Sequence, residues 1–184
     1  DIANQILDFR QTEVKEFSLY FEKINIIALL QDIHSSFQPL AEQHNLRYRL
    51  DVPGTECAIG AHLDSMQKIL ANMYSNAIKY ATQKVQVKFI PFEEENKFRI
   101  EISNDGFLIP YELKEKIFEP FFRIKETSTQ KGTGIGLAIS KTLAELHDGK
   151  IELMEPNGPM ITFILELKIH NAKKLPNVSQ PVTS

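Results

Sequence analysis

The sequence predicts an α+β fold, a two-layer α/β sandwich in which a mixed, mainly antiparallel sheet packs against three helices. Three observations predict it. Helical and strand-like patterns follow one another in mixed order, neighbouring strand patterns are joined as hairpins, and the regular strand-helix alternation of a doubly wound parallel sheet is missing. With 42% hydrophobic residues, the 184-residue chain can bury the core of one such domain.

Three segments have the apolar spacing of amphipathic helices. The first follows Asn25, a suitable N-cap residue, and Pro39 is expected to kink or interrupt it. The second opens at Asp64, and the third is IGLAISKTLAELH. A further short helix is predicted for YELKEKIF.

Strand-like segments lie between these helices. KVQVKFI and KFRIEIS alternate apolar and polar residues on either side of a turn, which predicts a hairpin with one buried face. The last two segments flank a Pro-Asn-Gly turn and predict a second hairpin. In chain order the segments are EFSLYF, RYRLDV, CAIG, KVQVKFI, KFRIEIS, KIELME and MITFILELK.

Charge and composition exclude several classes of function. The net charge is -3 and the sequence pI is about 6.0, so the chain has no general basic surface for nucleic acid or anionic lipid. Its longest apolar run, Ile24 to Leu30, is far shorter than the roughly 18 to 20 residues needed to cross a bilayer. A single cysteine and histidines without zinc-ligand spacing predict neither a disulfide nor a structural zinc site, which fits a reducing, cytoplasmic setting.

A glycine-rich stretch, KGTGIGLAIS from Lys131 to Ser140, runs directly into the third predicted helix. Glycines let main-chain N–H groups approach phosphate oxygens, and the positive end of a helix dipole favours the same anionic group; a flexible hinge is the alternative. The stretch is not a Rossmann fingerprint, because Leu137 stands where the third glycine is required. It is not a Walker A loop either, because Gly-Lys-Ser/Thr does not occur.

Four segments together resemble the N, G1, F and G2 boxes of the catalytic ATP-binding domain of bacterial sensor histidine kinases. They occur in the family's order and spacing, and the resemblance covers about residues 17–168. It implies the ATP-binding sandwich also found in DNA gyrase, Hsp90 and MutL, with ATP and magnesium as cofactors. The segments are NMYSNAIKYA, SNDGFLIP, IFEPFFR and KGTGIGLAIS.

On the long helix, the resemblance implies that Asn76 is the magnesium ligand. Asn72 lies one turn earlier on the same side of the helix. Lys79 can place its ammonium near a phosphate, and the ring of Tyr80 can lie against adenine. The alternative for each asparagine is an ordinary exposed helix residue.

In the glycine-rich stretch, the resemblance implies that backbone N–H groups from Gly134 to Leu137 cradle the phosphates. The polar run from Lys125 to Lys131 resembles a mobile lid over the nucleotide. The base of this lid would be docked into the core by Phe118, Phe121 and Phe122. The alternative makes these three phenylalanines core residues only, and the two interpretations are compatible.

The complete predicted site follows from these matches. Arg123 either stabilises charge on the transferring phosphoryl group or is a solvated surface arginine. The predicted catalytic residues are Asn72, Lys79 and Arg123, and the predicted nucleotide-binding residues are Asn76, Tyr80, Asn104, Asp105, Gly106, Ile109, Phe122, Lys131, Gly132, Thr133, Gly134, Ile135, Gly136 and Leu137.

The G1 segment departs from the family pattern Asp-x-Gly-x-Gly at two positions. Asn104 stands in the register of the aspartate that accepts a hydrogen bond from the adenine amino group, and Leu108 replaces the second glycine. A carbonyl oxygen can still accept, but without the charge that roughly doubles the strength of such a bond, so weakened ATP selectivity is expected. The adjacent Asp105 is an alternative acceptor.

HSSFQPL, at His34 to Leu40, imitates the family's phosphoacceptor motif His-Glu/Asp-x-x-x-Pro-Leu. Ser35 replaces the acidic neighbour, so His34 is expected to be a surface or core-edge histidine. The acceptor is expected on a dimerisation hairpin of which residues 1–15 are the last turns, with its histidine upstream of this chain. Residues 16–169 are the predicted catalytic domain, and residues 170–184 a flexible linker.

The resemblance implies a protein histidine kinase of a two-component system, in a simple or a hybrid sensor. Its expected partners are the phosphoacceptor hairpin, a response regulator or receiver domain, and a second copy of the full-length protein. ATP-hydrolysing relatives carry a general-base glutamate where this chain has Asn72, which favours phosphoryl transfer over hydrolysis. The alternatives are a catalytically weak nucleotide-binding or docking module and an ATPase of the same fold.

Overall fold

The computed structural model describes residues 20–54, 56–125, 132–156 and 158–169. Within these ranges the chain alternates helices with short runs of strands. The helices are α1 (Ile26–Gln43), α2 (Leu63–Tyr80) and α3 (Gly136–Glu145). The strands are β1 (Glu22–Asn25), β2 (Arg47–Asp51), β3 (Ala58–Ala61), β4 (Lys84–Phe92), β5 (Lys97–Asn104), β6 (Lys150–Leu153) and β7 (Ile161–Lys168).

Five of the strands form one sheet in the order β2-β4-β5-β7-β6. β2 and β4 are parallel, whereas all other neighbours in this sheet are antiparallel. The pairs β4–β5 and β6–β7 are the two predicted hairpins. β1 and β3 pair separately as a two-stranded antiparallel sheet. The predicted α+β class with a mixed, mainly antiparallel sheet is therefore confirmed.

The core lies between one face of the five-stranded sheet and the helices. Alternate residues of β5, which are Phe98, Ile100 and Ile102, are buried because successive side chains of a strand point to opposite faces. Ile69 and Met73 of α2 are buried at helical spacing on the facing layer. This packing holds the C-terminal end of β5 beside the C-terminal half of α2, which positions the site described below.

The start of α1 agrees with the prediction, but its interior does not. Asn25 caps the helix, since its side-chain oxygen accepts hydrogen bonds from the backbone N–H groups of Ile27 and Ala28 at 3.1 and 3.3 Å. Of the kink or interruption expected at Pro39, the interruption does not occur, because α1 continues to Gln43. Proline frees the carbonyl four residues earlier, and Ser35, which carries that carbonyl, is exposed and can be hydrated.

Two other element boundaries differ from the predictions. The segment YELKEKIF forms two short 3-10 turns, Tyr111–Leu113 and Lys116–Phe118, instead of one helix. Pro120 follows directly and disfavours helical geometry at Glu119, whose ψ is 138°. Of the predicted EFSLYF strand, residues 16–19 lie outside the described ranges and Tyr20 and Phe21 are not in a strand, so the first described strand begins at Glu22.

Several predictions concern residues outside the described ranges. These are the hairpin end at residues 1–15, the linker at residues 170–184, Lys131 and the middle of the expected lid. Among the residues that are described, none of the helices is long and apolar enough to cross a membrane.

Candidate functional site

A cleft of about 690 Å³ opens between α2, the start of α3, the loop after β5 and strand β7. It brings together most of the residues that the sequence singled out, although they come from four separate segments. The predicted residues that line it are Asn72, Asn76, Lys79, Tyr80, Asn104, Ile109, Phe122, Arg123, Gly132, Thr133, Gly134, Gly136 and Leu137.

Asn76 lies on the cleft side of α2, where its side-chain amide is available to a ligand. Its side chain is half-buried and makes no hydrogen bond within the described part of the chain. An amide oxygen is a suitable ligand for Mg²⁺, which is usually held by one or two protein groups together with phosphates and water. No cluster of three or more His, Cys, Asp or Glu side chains occurs among the described residues, so an all-protein metal cage is not present there. The donor set therefore fits a nucleotide-bound magnesium ion.

Asn72, one helical turn earlier, has its amide nitrogen committed. Nδ2 of Asn72 donates to the carbonyl oxygen of Gly136 and to Oγ of Ser140, both at 3.3 Å. Ser140 is completely buried between α2 and α3. Asn72 therefore ties the first turn of α3 to α2 while lining the cleft.

Lys79 and Tyr80 form a pair at the C-terminal end of α2. The Lys79 ammonium donates to the Tyr80 hydroxyl at 2.9 Å and lies 4.5 Å from the centre of the Tyr80 ring. A Cβ atom at Gly132 would stand 2.9 Å from Nζ of Lys79, so the glycine-rich segment passes directly over this cation. The lysine thus supplies positive charge where that segment meets α2.

The first turn of α3 exposes backbone N–H groups to the cleft. Its N-cap residue, Ile135, makes no side-chain capping bond, and Gly136 is the first helical residue. Gly134 has a φ of +75°, which favours glycine, and a Cβ there would lie 2.9 Å from backbone atoms of Phe121 and Phe122. A bare, uncapped helix start suits an anionic group such as a phosphate.

Phe121 does not occupy its expected position, and the side chain of Ile135 lies in the core, whereas the role predicted for Ile135 concerns its backbone N–H group. Ile135 is only 1% exposed and belongs to the core, so its side chain does not line the cleft. Phe121 is 63% exposed, with a left-handed φ of 66°, and its N–H donates to the carbonyl of Gly134 at 3.0 Å. The expectation that all three phenylalanines dock the lid base into the core is wrong for Phe121; Phe118 is buried and Phe122 lines the cleft.

Asn104, the last residue of β5, and Gly106, in the loop that follows, have different roles. Asn104 is 3% exposed and lines the cleft, with its Oδ1 accepting from Gly106 N–H at 3.0 Å. Gly106 lies behind the cleft wall, where a Cβ would stand 1.8 Å from the Tyr80 carbonyl oxygen. Only glycine therefore allows this loop to approach the end of α2 so closely.

Asp105 points away from the cleft, contrary to its suggested part as an alternative base acceptor. Its Oδ1 accepts three backbone hydrogen bonds, from Thr82, Gln83 and Lys84, at 2.9 to 3.0 Å. Burial alone would raise the pKa of this carboxyl, but the hydrogen bonds from Gln83, Lys84 and Thr82 outweigh it and hold the pKa below its ordinary value. Asp105 therefore closes the turn before β4 onto the loop after β5.

The cleft also has an apolar wall that the motif analysis missed. Ile161 and Phe163 lie on β7, Ile117 lies in the second 3-10 turn, and Phe107 is exposed at the rim. Such residues have no local signature, because an isoleucine in a strand pattern predicts core packing equally well. The remaining lining residues that were not predicted are Ser75 and Ile124.

His34 lies outside this cleft, as a core-edge histidine. Its ring stacks on Tyr48 with 3.9 Å between ring centres, and Tyr74 approaches edge-on at 6.0 Å. Burial lowers the pKa of His34, because removing water disfavours the charged imidazolium. This environment agrees with the expectation that His34 is a packing residue.

Comparisons with known proteins agree with this geometry. Residues 61–171, more than half of the chain, match the family described as histidine kinase-, DNA gyrase B-, and HSP90-like ATPase. The chain is 31% identical to the sensor histidine kinase WalK of Bacillus subtilis (91% of this chain, 28% of that protein). It is 29% identical to histidine kinase P4 of Formosa agariphila (91% of this chain, 13% of that protein), so it spans only a small part of these relatives.

Solved structures show the same fold. The catalytic domain of histidine kinase ThkA is 28% identical, with a TM-score of 0.72 over 82% of this chain and 99% of that chain. Full-length ShkA in complex with AMPPNP superimposes with a TM-score of 0.79 over 89% of this chain and 34% of that chain; at 22% identity this shows the fold alone. The four boxes, the sandwich and the family match agree, and the resemblance to the catalytic domain of sensor histidine kinases is confirmed: the chain belongs to the family of histidine kinase-, DNA gyrase B- and HSP90-like ATPases.

Proposed function

We propose that this domain binds Mg·ATP and transfers its γ-phosphoryl group to a histidine on a dimerisation hairpin. The observation that carries the proposal is the convergence, in one cleft, of Asn76, Lys79 and the uncapped start of α3. These groups supply a metal ligand, a cation and backbone donors, which are the positioning and electrostatic elements that phosphoryl transfer requires. The match of residues 61–171 to the family of histidine kinase-, DNA gyrase B-, and HSP90-like ATPases supports the use of this cleft for ATP.

Each side chain has a distinct part in this proposal. When bound, magnesium would neutralise phosphate charge beside Asn76, whose amide oxygen adds no negative charge of its own. Lys79 and the N–H groups of the first turn of α3 hold phosphate oxygens, and Asn72 keeps that turn in place through its bonds to Gly136 and Ser140. Arg123 lines the same cleft and adds positive charge.

Water is a poor substrate for this site, because no general base lines the described cleft. Neither aspartate nor glutamate is among its described lining residues, and the position before Asn76 on the same helical side is occupied by the amide of Asn72. An amide does not take a proton at neutral pH. The γ-phosphoryl group is thereby kept for an imidazole nucleophile presented by another domain.

The partners follow from this reaction. The phosphoacceptor hairpin delivers the histidine, a second copy of the full-length protein completes the hairpin dimer, and a response regulator or receiver domain takes the phosphoryl group. A structure of ThkA in complex with the response regulator protein TrrA, 26% identical to this chain with a TM-score of 0.76, supports the last partner. We place the reaction in the cytoplasm, where ATP and reduced thiols are available.

A reconstituted transfer reaction tests the proposal. The 184-residue chain is mixed with a purified hairpin that carries the phosphoacceptor histidine, magnesium and γ-labelled ATP. We expect acid-labile label on the hairpin, and none on a hairpin in which that histidine is replaced by glutamine. Rapid release of labelled inorganic phosphate without labelled hairpin would favour an ATPase instead.

The altered G1 segment favours a second candidate, a nucleotide-binding docking module without transfer activity. Asn104 removes the negative charge that the family pattern places beside the base. In the same reaction, this module would bind the nucleotide and the hairpin but leave the histidine unlabelled.

A further inference from the structure

The polar group at the floor of the cleft is an asparagine in apolar surroundings. Asn104 is the last residue of β5, and only 3% of its surface is exposed to solvent. Ile109, Ile117 and Phe163 line the same cleft. In such a pocket, one polar side chain orients the ligand by hydrogen bonding while the apolar residues supply contact area.

The orientation of the Asn104 amide follows from a single hydrogen bond. The N–H of Gly106 donates to Oδ1 of Asn104 at 3.0 Å, and only the oxygen end of an amide can accept it. The same oxygen would lie 2.9 Å from a Cβ at Gly106, so it is directed back at the loop. Nδ2 makes no hydrogen bond within the described part of the chain. Nδ2 is not fully buried, and Asn104 lines the cleft, so this N–H₂ group is open to the cleft.

The group that the cleft floor offers to a ligand is therefore a donor. Adenine presents an amino group at its 6-position, which is itself a donor, whereas hypoxanthine and guanine present a carbonyl oxygen, which is an acceptor. An aspartate in this register would suit the amino group and repel the carbonyl. Asn104 favours the opposite relation, because its free N–H₂ can donate to a 6-carbonyl, whereas its oxygen already accepts from Gly106 and is directed back at the loop.

The described cleft has no charged acceptor for adenine. No aspartate or glutamate lines it, and Asp105 lies outside its lining, with its Oδ1 accepting from the backbone N–H groups of residues 82–84. The Tyr80 hydroxyl already accepts from Lys79. The choice of base thus depends on Asn104.

We propose that this cleft accepts 6-oxopurine nucleoside triphosphates, such as ITP and GTP, at least as well as ATP. The proposal deepens the proposed function and rests on it, since it concerns the base of the same Mg-bound triphosphate. It goes beyond a weakened preference for ATP, because the direction of the Asn104 amide gives the 6-carbonyl a partner that the 6-amino group lacks.

Calorimetric titration of the chain with ATP and ITP tests the proposal. The two nucleotides differ only at the 6-position of the base and in the adjacent ring proton. We expect the parent to bind ITP at least as tightly as ATP, and Asn104→Asp to shift the ratio of the two dissociation constants toward ATP by about tenfold or more. Asn45→Asp is the matched control, because Asn45 is exposed in a turn outside the cleft and its substitution should leave the ratio unchanged.

The outcomes separate this inference from the function on which it rests. A parent that binds ATP more tightly than ITP, or a ratio that Asn104→Asp leaves unchanged, overturns the inference and leaves a nucleotide site in place. The parent comparison does not depend on the variant, whose folding is checked by circular dichroism. If neither nucleotide binds to the parent in the presence of magnesium, the proposed function fails and the inference fails with it.

Discussion

Asn72 and Asn76 are one turn apart on α2, but their amides have different partners. Asn72 donates to Gly136 and Ser140 of α3, whereas Asn76 makes no side-chain hydrogen bond within the described residues. The sequence predicted that both face one side of the helix, which the cleft confirms. It did not predict the partners of Asn72, because the position of α3 beside α2 depends on packing of the whole core. Asn72 is thus a positioning residue for the first turn of α3, which we propose to bind phosphate.

Replacement of Asn72 by alanine tests this positioning role. Two hydrogen bonds to α3 are lost, so we expect the free energy of unfolding to fall by about 1 to 3 kcal/mol and the affinity for Mg·ATP to fall with it. Urea denaturation and calorimetry measure the two effects. Ser75→Ala is the control, since Ser75 lines the same cleft without a hydrogen bond and should leave stability within about 0.5 kcal/mol of the parent. Equal effects of the two substitutions would contradict the role.

At the scale of elements, the loop after β5 is held by Asp105. Its carboxylate accepts the N–H groups of Thr82 and Gln83, which lie between α2 and β4, and of Lys84, the first residue of β4. One side chain thus connects the base of the β4–β5 hairpin to the segment that follows α2. The sequence placed Asp105 in the G1 segment and suggested a base contact. Its true partners are backbone groups of a turn that has no motif of its own, and local pattern could not identify them.

The Asp105 connection predicts a pH-dependent stability. The pKa of Asp105 is lowered in the folded protein, so its contribution is complete above the ordinary aspartate value of about 3.9 and is lost as pH falls through the lower folded value. We expect Asp105→Asn to be less stable than the parent at pH 7, because its bonds lose charge assistance, and to lose less stability on acidification. Thermal unfolding from pH 7 to pH 2 measures the difference.

Asp51→Asn serves as the control for this pH series. Asp51 is exposed on β2, and its side chain makes no hydrogen bond within the described part of the chain. Its replacement should leave unchanged the loss of thermal stability that the parent shows between pH 7 and pH 2. If the Asp105→Asn protein lost as much stability on acidification as the parent, the three backbone hydrogen bonds would not be what holds the loop.

Element boundaries show what local pattern can and cannot determine. The two hairpins were predicted correctly, because strict alternation specifies the strands and buried face of the first, and the Pro-Asn-Gly turn indicates the second. The uninterrupted α1 was not, because the cost of Pro39 depends on whether the freed carbonyl can be hydrated. The segment YELKEKIF has helix-forming residues, but the following Pro120 limits it to short 3-10 turns.

At the scale of the whole molecule, the sheet and α2 form a frame that brings four distant segments to one cleft. The motif spacing predicted this convergence and most of the polar lining. It did not predict the apolar wall of Ile117, Ile161 and Phe163, because these residues satisfy ordinary core patterns and only the tertiary arrangement leaves them facing the cleft. It also did not predict that the Asn104 oxygen would be taken by Gly106.

The central claim is that α2 and the start of α3 jointly hold a magnesium-bound triphosphate, and Asn76→Ala tests it most directly. Calorimetry with a non-hydrolysable ATP analogue, with and without magnesium, compares this variant with the parent. Gln67→Ala is the control, because Gln67 is an exposed amide on the same helix outside the cleft. We expect magnesium to strengthen binding to the parent and to Gln67→Ala, and Asn76→Ala to lose about tenfold or more of that gain. An Asn76→Ala protein with the magnesium dependence of the parent would contradict the account.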